Sequence, residues 1–140
     1  MNLPAEIFRA YDIRGIVGRT LTREGVRAIG CALGELGREH GAATFAVGRD
    51  GRHSGPELSA ALIDGLNAGG ADAIDLGMVP TPAVYFAAHH FACHSAVAVT
   101  GSHNPPEYNG LKMVVAGETL SGDAIQNLRS RIEKIGRAHV

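Results

Sequence analysis

Val97–Met113, VAVTGSHNPPEYNGLKM, is the stretch around which the chain is organised. An alternating apolar strand from Ala96 to Val99 runs into a loop that gathers Thr100, Ser102, His103, Asn104, two prolines, Asn109, Gly110 and Lys112. Core-building segments rarely carry a hydroxyl, an imidazole, amides, an ammonium and turn formers together. At the C-terminal end of a strand, that set suits an α/β protein building a site above its sheet.

Working outward from it, strands and helices alternate. Ile7–Val17 mixes apolar and polar residues around Gly15 and Gly18 and predicts short extended segments about a turn. Tyr11, Asp12 and Arg14 cluster there, and spacing alone allows a plain Asp–Arg pair at a surface turn. Thr22 can cap a helix to about Glu39 whose apolar side is Val26, Ile29, Leu33 and Leu36. Gly30, Gly34 and Gly37 share one side of it. Each weakens a helix by roughly 0.5–1 kcal/mol relative to Ala, so close packing against the sheet is the expected compensation. Thr44–Val47 predicts a strand, followed by the loop GRDGRHS at Gly48–Ser54. Arg49 can there face an anion or stay a solvated turn charge. Ser54 to Glu57 spells a capping box for a helix to about Gly69. Ala73–Leu76 is a third apolar run and Ala83–Phe91 a third helix; Ser95–Thr100 leads into the focal loop and Leu111–Ala116 leaves it as a strand. Ser121 is placed to cap a last helix through Ile125, Leu128 and Ile132. This βαβ rhythm predicts a three-layer α/β/α domain with a mixed, mostly parallel sheet.

With 140 residues, 45% hydrophobic and 19% charged, the chain suits one domain. No apolar run approaches a membrane span, and the N-terminus lacks a basic region followed by an apolar core, so a cytoplasmic protein is expected. A net charge of −1 gives no footprint for nucleic acid or a membrane surface. Cys31 and Cys93 are expected as reduced thiols. His89, His90, Cys93 and His94 fall at helical spacings, but no carboxylate or second thiol joins them, and a polar helix end is preferred to a zinc site. Eleven arginines stand against two lysines, Lys112 and Lys134. Where the chain so favours guanidinium, an ammonium at Lys112 suggests a task that Arg would not perform.

Ser102 is a weak nucleophile at its resting pKa and needs a base, or a role as carrier of a transferable group. A hydrolase elbow requires G-x-S-x-G, whereas Ser102 directly follows Gly101 and Asn104 stands where the second Gly belongs. Phosphoserine fits the surroundings better: Lys112 and His103 supply positive charge to a dianionic group in an amide-rich bend. The residues by themselves leave phosphate binding and phosphoryl transfer both open.

TGSHNPPEYNGLK at Thr100–Lys112, AYDIRG at Ala10–Gly15, VGRDGRHSGPEL at Val47–Leu58 and GMVPTP at Gly77–Pro82, in this order, resemble the first domain of the α-D-phosphohexomutases, most closely the bacterial phosphomannomutase/phosphoglucomutase group. The resemblance covers nearly the whole chain, with Leu111 where the group often has Phe. It implies that Ser102 carries the phosphoryl group, passed to a hexose 1- or 6-phosphate and taken back from a hexose 1,6-bisphosphate, which also serves as activator. His103, Lys112 and Arg14 are implied as catalytic groups, with proton transfer assigned to His103 or Lys112 because Arg is hard to deprotonate. Tyr11 and Asn104 are implied as loop-positioning residues and Arg49, more weakly, as a phosphate contact. The phosphate on Ser102 is the implied metal ligand for Mg²⁺, the other ligands lying in later domains of such enzymes. The expected partners are a phosphosugar and those following domains, against which this one packs, so that the chain by itself is expected to be inactive. A non-catalytic phosphosugar-binding domain is the alternative, and a serine hydrolase a more distant one.

The last residues, KIGRAHV at Lys134–Val140, match an in-frame translation of a common sequencing-adapter sequence. The expected domain is therefore 1–133 and the tail 134–140 non-native. Resequencing the source locus is expected to show a different continuation after Glu133, and a genuine stop codon after Val140 would refute this.

Overall fold

The computed structural model describes residues 3–138. After a 3-10 turn at Ala5–Ile7 the chain forms β1 (Ile13–Ile16), α1 (Arg23–Glu39), β2 (Thr44–Arg49), α2 (Gly55–Ala68), β3 (Asp72–Met78), α3 (Thr81–His90), β4 (Ser95–Val99), β5 (Tyr108–Val115), β6 (Glu118–Thr119) and α4 (Asp123–Ala138). One sheet takes the order β1-β5-β4-β2-β3, with β6 also on β5. β2 pairs parallel with β3 and β4, and β5 is antiparallel to β4, β1 and β6. This is the expected three-layer α/β/α domain with a mixed sheet. No helix among the described residues is long and apolar enough to cross a membrane.

Strand alternation sorts the side chains into two cores. Phe45, Val47, Val97, Val99, Leu111 and Met113 pack with Ile29 and Leu33 of α1, Leu62 and Leu66 of α2 and Ile125 and Leu128 of α4. Side chains of this size contribute about 1.5–3 kcal/mol each on full burial. The opposite face is thinner: Ala46, Ala96 and Ala98 meet Val84, Ala87 and Ala88 of α3. Met78, Phe86 and Phe91 remain exposed on or beside that layer. His90 stacks on Phe86 and meets Phe91 edge-on. Both cysteines are free thiols. The buried Cys93 thiol points at the carbonyls of Ala88 and Ser95. Burial, and secondarily Glu35, push the Cys31 thiol above its ordinary pKa against an opposing pull from Arg27.

Several local expectations need correction. Thr22 caps α1 as predicted, its Oγ1 accepting from the Gly25 N–H at 3.0 Å. The glycines of α1, however, lie mainly against a helix rather than the sheet. A Cβ on Gly30 would stand 2.5 Å from the Leu62 carbonyl oxygen and one on Gly34 would stand 2.7 Å from that of Leu66. From the other side, a Cβ on Gly65 or Gly69 would collide with the carbonyls of Arg27 and Cys31. The two backbones therefore meet through reciprocal small residues, and only Gly37 reaches the sheet, at the Phe45 ring. The predicted capping box does not form. Ser54 has helical φ and ψ and its side chain caps nothing. Instead Ser54 Oγ accepts from Asn109 Nδ2 at 2.8 Å, tying α2 to β5. β5 begins at Tyr108, so Asn109 and Gly110 are strand residues rather than loop residues, and Lys112 lies on the strand expected from Leu111. The last helix starts at Asp123, with the Ala124 N–H bonded to the Ser121 carbonyl. It continues through Lys134 to Ala138, while His139 and Val140 of the proposed tail lie outside the described residues.

Gly65→Ala is expected to destabilise the domain by about 1–3 kcal/mol through overpacking, despite the better helix propensity of Ala. Urea unfolding followed by circular dichroism measures this, and an unchanged midpoint would mean that α1 and α2 can separate at no cost.

Candidate functional site

The C-terminal ends of β1, β2 and β4 and the start of β5 lie along one edge of the sheet, where two loops meet: residues 50–54 after β2 and 100–107 after β4. The first loop supports the second. Asp50 Oδ2 accepts from Thr100 Oγ1 at 2.9 Å and from the Gly101 N–H at 3.0 Å. Thr100 Oγ1 in turn accepts from the Ser102 N–H at 3.0 Å. Asn104 folds the loop on itself: its N–H and Nδ2 both donate to the Gly101 carbonyl, at 3.0 and 3.1 Å. These bonds hold Ser102 at φ +53°, a left-handed conformation that non-glycine residues seldom adopt and that surrounding structure must enforce.

Arg14 approaches Ser102 from β1. It lies opposite Gly110 of β5, and its Nη2 stands 3.4 Å from Ser102 Oγ. The same Nη2 donates to Asp12 Oδ2 at 2.5 Å. The Asp–Arg pair foreseen as a surface turn is thus mostly buried, with side chains 13% and 18% exposed. Arg14 Nε is buried and has no acceptor. A buried donor without an acceptor is costly.

The other expected residues are arranged less closely. Lys112, partly buried, is opposite Ala98. By strand alternation it shares a sheet face with Gly110 and Arg14. His103 is exposed next to Ser102, and Tyr11 is 77% exposed. Arg49 ends β2 and is 3.8 Å from Asp75 of β3, with the Gly55 backbone packed against its stem. Besides Arg14, Arg52 touches the serine loop, a contact the sequence does not single out: its guanidinium donates to the carbonyls of Ser102, Asn104, Pro105 and Tyr108. The signal was present in Gly48–Ser54, but Arg49 and Arg52 are equivalent there until the end of β2 is known.

Among the described residues no three His, Cys, Asp or Glu side chains converge on a metal position. Asp12 and Asp50, the carboxylates hydrogen-bonded around the site, are committed to Arg14 and to Thr100, Gly101 and Arg52, and Glu107 of the loop itself is exposed. The side chains present therefore do not make a Mg²⁺ site.

Fold and site together define an α/β/α domain that presents a conformationally constrained serine to an anchored arginine at the C-terminal edge of its sheet. Residues 5–139 match the family described as "Phosphoglucomutase/phosphomannomutase, alpha/beta/alpha domain I". The chain is 59% identical over 133 residues to the phosphomannomutase/phosphoglucomutase of Pseudomonas aeruginosa, covering 95% of this chain and 29% of that protein. It is 51% identical to the phosphoglucomutase of Neisseria meningitidis, over 98% of this chain and 30% of the relative. The crystal structure of a phosphoglucomutase/phosphomannomutase family protein from Burkholderia thailandensis superposes with a TM-score of 0.89 at 48% identity, over 95% of this chain and 31% of that one. The chain belongs to the phosphoglucomutase/phosphomannomutase family, of which it is the alpha/beta/alpha domain I. It spans about 29% of the length of the curated relative from Pseudomonas.

Asp12→Ala is expected to cost about 1–3 kcal/mol, because it leaves the mostly buried Arg14 guanidinium without its carboxylate. Thermal and urea unfolding measure the loss, and a variant as stable as the parent would show that Asp12 does not anchor Arg14.

Proposed function

We propose that this domain carries a phosphoryl group on Ser102 for a phosphohexomutase, which interconverts hexose 1-phosphate and hexose 6-phosphate of mannose or glucose through a hexose 1,6-bisphosphate. The observation that carries the proposal is Arg14, with one nitrogen at the Ser102 hydroxyl, another without an acceptor, and its position set by Asp12. The names of the relatives support the same assignment.

In the proposed step the P–Oγ bond of phosphoserine 102 breaks as a P–O bond forms to a sugar hydroxyl. The hydroxyl proton passes to His103 or Lys112, and the Ser102 oxygen, its developing charge facing Arg14, recovers a proton. The bisphosphate then reorients and returns its other phosphoryl to Ser102. Tyr11 and Arg49, as placed, serve better at the margin of a bound phosphosugar than at the phosphorus. The Mg²⁺ of the proposal would find only the Ser102 phosphate as a ligand in this segment, so its remaining ligands belong to the rest of the enzyme. The sugar grip belongs there too, in domains packed against this one.

Incubation with glucose 1,6-bisphosphate should add one phosphoryl group to the chain by intact mass, and Ser102→Ala should abolish the adduct. Interconversion of glucose 1- and 6-phosphate by the 140-residue chain is expected to stay at background. Saturable binding of the bisphosphate with no adduct would instead indicate a phosphosugar-binding domain, and labelling of Ser102 by a fluorophosphonate would indicate a hydrolase.

A further inference from the structure

The sequence sets Asn109 in the focal stretch, yet the transfer step has no use for it. Its side chain is fully buried on β5, and by strand alternation it shares a face with the core residues Leu111 and Met113. A carboxamide among aliphatic side chains is costly unless its polar atoms are paired, and pairing it fixes where its partners stand. Both ends of this one are paired. Nδ2 donates to Ser54 Oγ and Oδ1 accepts from the Gly110 N–H, each at 2.8 Å.

The two partners lead to the reacting serine by different routes. Ser54 ends the loop whose Asp50 and Arg52 hold the serine loop by the Thr100 hydroxyl, the Gly101 N–H and the carbonyls of Ser102 and Asn104. Gly110 lies opposite Arg14 of β1, and its carbonyl accepts from the Thr100 N–H at 3.0 Å, at the root of the serine loop. A Cβ on Gly110 would stand 2.3 Å from the Ile13 carbonyl oxygen, so the strand that carries Arg14 presses directly on this backbone. One buried amide therefore ties together β1, the loop after β2 and the root of the serine loop.

Building on the phosphoserine function proposed above, we propose that Asn109 is a positioning residue for phosphoryl transfer: by bridging Ser54 to Gly110 it keeps the Ser102 loop and Arg14 in one alignment. Arg14 Nη2 stands 3.4 Å from Ser102 Oγ. A displacement of about 1 Å at a reacting pair can cost on the order of a hundredfold in rate. Asn109 reaches no surface open to a phosphosugar, so it acts on the rate of transfer and leaves affinity alone.

The test follows loading of the 140-residue chain by glucose 1,6-bisphosphate. A P–O bond to the sugar breaks, one to Ser102 Oγ forms, the serine proton ends on the sugar oxygen, and a glucose monophosphate leaves. Intact-mass time courses at several bisphosphate concentrations separate the maximal rate from the half-saturating concentration. They are run on the parent, Ser54→Ala, Ser54→Thr, Asn109→Ala and the double alanine variant. Circular dichroism shows which are folded. Ser54→Ala removes the bridge from its partly exposed side, so the result does not hang on Asn109→Ala folding. NMR hydrogen exchange at the Thr100 and Ser102 amides is read in the unloaded chains.

Ser54→Ala and Asn109→Ala are each expected to lower the maximal rate roughly tenfold, with the half-saturating concentration unchanged. Ser54→Thr, which keeps the hydroxyl, should recover most of the loss, and the double variant should fall no further than the slower single one. Exchange at Ser102 should quicken in Ser54→Ala while the Val97 amide of β4 keeps its rate. A folded Ser54→Ala that loads like the parent would overturn the proposal. So would a Ser54→Thr that recovers nothing, losses that multiply in the double variant, or a loss carried by the half-saturating concentration. A loaded parent with an equally loaded Ser54→Ala refutes the role of Asn109 alone. A parent that takes up no phosphoryl refutes the mutase function, and the bridge is then judged by exchange: faster exchange at Ser102 in Ser54→Ala upholds it, and unchanged exchange removes it too.

Discussion

Four main-chain carbonyls converging on the Arg52 guanidinium are the interaction on which the site depends. A loop with two prolines and a left-handed serine cannot satisfy its own polar groups by a regular ladder, and unpaired buried carbonyls are costly. Arg52 gathers them from one side while Asp50 takes the Thr100 hydroxyl and the Gly101 N–H from the other. Both partners come from the loop after β2, and Ser54, a little further on, accepts from Asn109 of β5. The serine is consequently fixed to α2 as well as to the strand that precedes it. α2 is in turn seated against α1 by the reciprocal approach of Gly30, Gly34, Gly65 and Gly69, which links a site residue to a packing constraint on the far side of the core.

The layers and the order of elements could be read from the sequence because they follow from periodicity and punctuation. The Thr22 cap, the apolar face of α1 and the alternating strands each depend on residues close together in the chain. Relations between distant residues were lost. The Ser54–Glu57 pattern is a sound local signal for a cap, but a longer-range donor, Asn109, takes the hydroxyl. The glycine stripe on α1 announces a close approach without naming the partner, and the partner is another helix. Arg49 was preferred to Arg52 as a phosphate contact because both lie in one charged turn. β2 continuing to Arg49 sends that side chain towards Asp75 and leaves Arg52 to the serine loop. Lys112 was singled out by arginine bias, and the strand that carries it proves longer than its apolar portion.

Ser102 and Arg14 come from opposite ends of the chain and meet because β1 and β4 flank β5. β5 is antiparallel to both, so the C-terminal ends of its neighbours face the same way, and a residue from β1 can stand over a loop from β4. This inserted antiparallel strand gives the domain a two-sided approach to one hydroxyl.

The unequal thickness of the two cores has a consequence for how the molecule opens. α1, α2 and α4 bury large aliphatic side chains on one face, whereas α3 rests on alanines and leaves Phe86 and Phe91 outside. Free energy for local opening follows buried apolar contact, so cooperativity is unevenly spread. α3 is therefore expected to exchange its amide protons before the strands beneath it, which are held from the other side. The serine loop extends from β4, one of those retained strands, so brief excursions of α3 leave its geometry intact.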